Sequence, residues 1–171
     1  MEKETKDKEV KDKEPVNKNL IKVGITIGDL NGIGPEIIVK ALHDNRILTD
    51  IVPVVYGSNK VISHYKKQLN LQEFNYLSCK SAADINPKKV NIINVWQEEV
   101  QMEPGVSNAD GGKYALLSLE AATRDLATNL AHCARQLNPY AAWNKIRLSG
   151  GLSRDLPLLT ALIQQYFPTA A

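Results

Sequence analysis

Gly28-Asp29-Leu30-Asn31-Gly32-Ile33-Gly34-Pro35-Glu36 is where residue type and spacing in this chain could do chemistry. Glycines at positions 28, 32 and 34 let the backbone take positive φ and let a ligand approach without a Cβ in the way. Such a turn sets a ligand against backbone amides and the positive end of a helix. Asp29 and Glu36 are the acids beside it. Two carboxylates could hold a mostly hydrated magnesium ion, but not a closed metal geometry. The spacing is G-x-x-x-G-x-G, so it is not the dinucleotide fingerprint G-x-G-x-x-G. Pro-Glu stands where the common phosphate loop carries Lys followed by Ser or Thr. The same pattern also serves as a tight strand-to-helix connection that holds no ligand.

The turn needs a strand before it and a helix after it. The β-branched run Ile21 to Ile27 supplies the first. Ile37-Ile38-Val39-Lys40-Ala41-Leu42 supplies the second, with Pro35 and Glu36 suited to its first turn. Further along, Val52 to Tyr56 reads as a strand ending at Gly57-Ser58, Lys60 to Leu69 as a helix, and Val90 to Val95 as a strand. Gln97 to Asp110 reads as a loop or short edge strand. Gly111-Gly112 then precedes a long helical pattern in which Leu116, Leu119, Ala122, Leu126, Leu130 and Cys133 fall three or four apart, stopped by Asn138-Pro139. This alternation predicts an α/β domain with a largely parallel sheet in three layers.

Composition bounds the function classes. A hydrophobic content of 43% supports a real core, and a net charge of +2 with no basic, aromatic-interleaved stripe points away from nucleic acid. No apolar run approaches the roughly 20 residues that span a membrane, and no signal-peptide core precedes the first strand. Cys79 and Cys133 match no metal spacing and read as buried thiols in a reducing cytoplasm. His43, His64 and His132 stand in no ligand cluster and read as ordinary surface or capping residues. Residues 1–19 are dense in Lys, Glu and Asp with almost no apolar anchors, and are expected to form a disordered charged tail. Residues 20–171 are expected to form a single α/β domain.

Four blocks carry a resemblance to a known family. They are Val23 to Asp29 with the Gly-Ile-Gly-Pro-Glu that follows, Pro53 to Ser58, Lys88 to Asn94, and Gly111-Gly112 leading to Ser118-Leu119-Glu120-Ala121-Ala122. In this order they resemble the N-terminal portion of the 4-hydroxythreonine-4-phosphate dehydrogenases of vitamin B6 biosynthesis, over about residues 21–126. The resemblance implies a fold like part of the isocitrate and isopropylmalate dehydrogenases. It implies NAD and a divalent metal as cofactors, a small phosphorylated substrate, 4-phosphohydroxy-L-threonine, and a cytoplasmic setting; a homodimer is compatible with it. By the same resemblance Gly28, Asp29, Asn31, Gly32, Gly34 and Glu36 line the cofactor side of the cleft, as positioning residues rather than catalytic ones.

Beyond residue 126 the resemblance ends. The family's metal-binding histidines and its later substrate motifs have no counterpart here, so no catalytic or metal residue is assigned and the chain is expected to be inactive alone. Residues 127–171 are expected to close the domain as a helix, a strand and a helix. Within them Ile146-Arg147-Leu148-Ser149-Gly150-Gly151, followed by an apolar helix to Phe167, resembles the adenosine motif of the actin, sugar-kinase and heat-shock-chaperone ATPases. Two alternatives to the dehydrogenase reading therefore stand. One is a non-catalytic fusion or designed α/β domain. The other is an ATP-binding module built on the Ser149-Gly150-Gly151 turn.

Overall fold

The computed structural model describes residues 20–137 and residue 161. The charged tail and the Ser149-Gly150-Gly151 turn lie outside the described residues. Four strands form one parallel sheet: β1 (Ile21–Thr26), β2 (Ile51–Gly57), β3 (Tyr76–Cys79) and β4 (Val90–Asn94), in the order β1-β2-β4-β3. Ile21 pairs with Ile51, Val54 with Asn91, and Tyr76 with Val90. Helices α1 (Gly34–Leu42) and α2 (Asn59–Gln68) follow β1 and β2. Helix α3 (Ala109–Leu137) follows β4 after a loop.

Alternation along the strands divides the core into two faces. On one, Val55, Val90 and Ile92 pack with Ile38, Val39 and Leu42 of α1, Val61, Ile62 and Tyr65 of α2, and Phe74. On the other, Val54, Tyr56, Cys79 and Ile93 meet Ala121 and Ala122 of α3. The result is three layers, as the strand–helix alternation predicts.

Several expectations change. The segment between β4 and α3 is a loop, one of the two expected alternatives, but α3 begins at Ala109, so Gly111 and Gly112 lie inside its first turn rather than ahead of it. Asn108 starts that helix, its Oδ1 accepting from Gly111 N at 2.8 Å. Strand β3 is an addition, reached without a strong β-branched run. The link from β3 to β4 is pinned by Asn91, which is fully buried. Its Nδ2 donates to the carbonyls of Lys89, Asn86 and Pro53, and its Oδ1 accepts from Asn86 N. The contact satisfies the Pro53 carbonyl, and the missing N–H of Pro53 is tolerated because pairing of β2 with β4 begins only at the next residue, Val54. Cys79 is buried as expected, but Cys133 is exposed. It shares the outer face of α3 with Leu116, Leu126 and Leu130, each more than two-fifths exposed, while Tyr114, Ser118, Thr123 and Ala127 face inward. Helix α3 also runs unbroken past residue 126, so the end of the resemblance is not an element boundary.

Candidate functional site

The glycine turn leaves the carboxyl end of β1 and enters α1 directly. Gly28 has φ +72°, the left-handed region that an L side chain resists. It is the one turn glycine in that region; Gly32 and Gly34 are not, which corrects the expectation for them. A Cβ on Gly34 would stand 2.7 Å from the Ile27 carbonyl oxygen, so glycine is required there by the close approach of α1 to the strand end. A Cβ on Gly32 would meet nothing nearer than 3.4 Å, and the position tolerates one.

The polar groups of the turn largely hold one another. Asp29 Oδ1 accepts from Asn31 N at 2.9 Å, and the Asp29 carbonyl accepts from Gly32 N at 3.1 Å. Asn31 is 4% exposed. Its Oδ1 accepts from Glu103 N at 2.8 Å and its carbonyl from Gly105 N at 2.7 Å, so it fastens the loop before α3 to the turn. Glu36 forms an ion pair with Lys40 one helical turn on. Among the six residues assigned to the cofactor side, Asn31 and Glu36 thus have partners within the chain and Gly34 a close contact with the end of β1. Gly28, Asp29 and Gly32 form the outward part of the turn.

Residues distant in sequence clamp this arrangement, and sequence reasoning did not find them as such. Ser118 Oγ accepts from Ile27 N at 3.0 Å and donates to the Tyr56 carbonyl at 2.7 Å, joining α3 to the ends of β1 and β2. Tyr65 Oη donates to the Leu30 carbonyl at 2.7 Å. Burial, then the Glu36 and Asp29 carboxylates, push the Tyr65 hydroxyl above its ordinary pKa, so it stays a donor. A Cβ on Gly111 would overlap the Asp29 carboxylate, which therefore sits against the first turn of α3, where negative charge is favoured. The signal for Gly111 was in the sequence as a paired glycine, but its partner is 82 positions away.

The histidines are dispersed. His43 caps the end of α1 with a buried Nδ1 that has no partner, His64 packs edge-on to Tyr65 in α2, and His132 lies on α3 within 2.9 Å of Gln136. Among the described residues no three His, Cys, Asp or Glu side chains are grouped to hold a metal ion. Asp29 and Glu36 do not fit a closed metal site, since one is engaged with the turn and α3 and the other with Lys40.

A parallel sheet with glycine-rich connections gathered at its carboxyl edge is an architecture shared with dehydrogenases. The structure of a 4-hydroxythreonine-4-phosphate dehydrogenase from Burkholderia phymatum superposes with a TM-score of 0.55 at 18% identity, covering 86% of this chain and 43% of that one. That of a putative 4-hydroxythreonine-4-phosphate dehydrogenase from Salmonella typhimurium gives 0.50 at 22% identity, covering 86% and 44%. At these identities the likeness is one of fold.

Sequence similarity points the same way. The chain is 33% identical over 115 residues to the 4-hydroxythreonine-4-phosphate dehydrogenase of Bacteroides thetaiotaomicron, covering 67% of this chain and 31% of the relative. It is 33% identical over 125 residues to that of a Sulfurihydrogenibium species, covering 72% and 37%. It is also 36% identical over 106 residues to a putative D-threonate 4-phosphate dehydrogenase of Cutibacterium acnes, covering 59% and 30%. The chain spans about a third of the length of these curated relatives. No protein-family model matches it. The chain is thus similar, over part of its length, to 4-hydroxythreonine-4-phosphate dehydrogenases, and its α/β fold is of their kind.

Proposed function

We propose that this chain is a portion of an NAD-dependent oxidoreductase of the 4-hydroxythreonine-4-phosphate dehydrogenase type, serving vitamin B6 biosynthesis in the cytoplasm, and that it does not oxidise 4-phosphohydroxy-L-threonine alone. The observation that carries the reading is a convergence. Three of the four sequence blocks that resemble the family meet at one edge of the sheet. Gly57 stands against Ile27, Gly34 against the Ile27 carbonyl, and Gly111 against Asp29. In this reading Gly28, Asp29 and Gly32 offer the cofactor a surface of backbone and one carboxylate, while Asn31, Gly34 and Glu36 build the turn behind them. The names of the relatives share a terminal phosphate on a four-carbon hydroxy acid, which supports a small phosphorylated substrate.

Hydride transfer to NAD needs an alcohol held against the nicotinamide and a group to take up its proton. In the proposed whole enzyme a divalent metal, when bound, would supply polarisation of that hydroxyl. The described residues group no ligands for it. What this chain contributes in the proposal is binding and orientation at the turn. The test is NADH formation at 340 nm with substrate and a divalent metal, beside calorimetric titration with NAD. Binding of NAD that is weakened in Asp29→Ala, without turnover, is the expected result. Turnover that survives purification and disappears in Asp29→Ala overturns the claim of inactivity. Absence of NAD binding overturns the cofactor role.

A further inference from the structure

A second polar site lies away from the glycine turn. A cavity of about 560 Å³ opens at the carboxyl ends of β2, β4 and β3, lined by Asn59, Lys60, Ser78, Lys80, Asn94 and Gln97. Two lysines and no carboxylate line it, so its charge suits an anion. Its place is also telling. The helix that follows β2 lies on one face of the sheet, and the helix that follows β4 lies on the other. The two connections diverge across the seam between these neighbouring strands, and such a divergence leaves the crevice in which open parallel sheets take ligands.

The floor of the cavity is already ordered. Asn94 Oδ1 accepts from Asn59 N at 2.8 Å, and Asn94 Nδ2 donates to Ser78 Oγ at 2.6 Å. Ser58, 1% exposed, accepts from Lys60 N at 3.3 Å. These contacts occupy the first amides of α2, so the site rests on side chains rather than on the helix terminus. They also orient Ser78: its oxygen receives the Asn94 hydrogen, which leaves its own hydrogen to donate. Lys60 Nζ stands 3.4 Å from Glu99 in an exposed ion pair, which costs little to exchange for another anion. Two ammonium groups, a hydroxyl and the Gln97 amide make a set of donors suited to a multiply charged oxyanion.

We propose that this cavity binds the phosphoryl group of a small phosphorylated molecule, between Lys60 and Lys80 and over Ser78. The site does not depend on the dehydrogenase reading. None of its residues belongs to the turn at 28–36, and β3 lies three strand spacings from β1, roughly 14 Å across the sheet. The test uses the full chain, labelled with nitrogen-15, titrated separately with inorganic phosphate and with phenyl phosphate at low and at 0.5 M salt. Saturable amide shifts centred on Ser78, Lys80, Asn94 and Gln97 are expected with both probes. Lys80→Ala and Lys60→Ala should each weaken binding about tenfold, the loss of one charge-assisted contact. Lys22→Ala, which removes an exposed lysine from β1, should leave affinity and shifts unchanged. Shifts spread over all surface lysines, shifts centred on Gly28 to Gly34 instead, or affinity unaffected by Lys80→Ala would each overturn the proposal. Because Lys60 and Lys80 are exposed, loss of binding with an unchanged amide spectrum separates a lost contact from a lost fold.

Discussion

On the face of the sheet covered by α1 and α2, Val55, Val90 and Ile92 meet Val39, Ile62 and Phe74, all within 2% of complete burial. On the face covered by α3, the helix offers alanines at 121, 122 and 127 and polar groups at Ser118, Thr123 and Asp125, while Leu116, Leu126 and Leu130 point outward. Small inward residues let α3 lie close to the strands, and closeness puts hydroxyls within bonding reach of backbone groups. The first face is held by volume and the second by direction. Volume loss is costly in proportion to the space vacated, whereas a directional contact is costly when its loss strands a buried partner.

The sharpest way to break this contrast is to empty the volume face. Phe74→Ala should cost about 3–5 kcal/mol by chemical denaturation, because a large and nearly fully buried ring leaves a cavity behind. A smaller cost would mean that the α1/α2 face collapses readily and is not held by packing. On the other face, Ser118→Ala removes few atoms but leaves Ile27 N and the Tyr56 carbonyl without their shared hydroxyl. It should cost about 1–3 kcal/mol. Hydrogen exchange should rise first at residues 27 to 34, and uniform acceleration across the sheet would count against a local clamp.

Tyr56 refines the comparison through pH. Its hydroxyl donates to Asp125 at 2.9 Å, and burial, then Asp125, hold its pKa far above the ordinary tyrosine value near 10. The unfolded chain ionises first as alkali is added. The tie therefore contributes fully below about pH 10, and its contribution is lost as pH rises toward the folded value. Tyr56→Phe should cost about 0.5–1.5 kcal/mol at pH 7 and give a shallower fall in melting temperature between pH 8 and 11 than the parent. Parallel curves would show that the α3 face does not titrate through Tyr56. The smallest effect belongs to the outward leucines. Leu126→Gln, at a position 52% exposed, should stay within about 0.5 kcal/mol of the parent. A loss of 2 kcal/mol would mean that this side of α3 is covered.

Much of the volume face was legible in the sequence, and little of the directional one. The β-branched runs gave β1, β2 and β4, and the Gly28 to Pro35 pattern gave the turn and the start of α1, because strand and helix-start signals act over a few residues. Strand β3 escaped because Tyr76-Leu77-Ser78-Cys79 is short and is held by β4 and by the Asn91 link, not by its own pattern. In the sequence Asn31 is a cofactor-side residue only by its place in a motif. Its main partner, Glu103 N, lies 72 positions away, and only the folded chain reveals that it is a brace. Cys133, Leu116, Leu126 and Leu130 show the same limit, since a helical period fixes which residues share a face but not which face meets the sheet.

The Ser118 clamp carries a consequence in time. The hydroxyl that fixes the end of β1 arrives 91 residues after Ile27, the amide it serves. On a ribosome that interval lasts roughly 5–18 seconds at the usual 5–20 residues per second. Strands β1, β2, β3 and β4 are all synthesised before it. The braces that Tyr65, Glu103 and Gly105 give the turn are synthesised before it as well, so the Ser118 tie is the last of them to become available. A nascent chain halted before residue 118 would have all four strands and the earlier braces in hand but lack the one hydroxyl that ties the ends of β1 and β2 to α3, and release of the next stretch of chain would supply it.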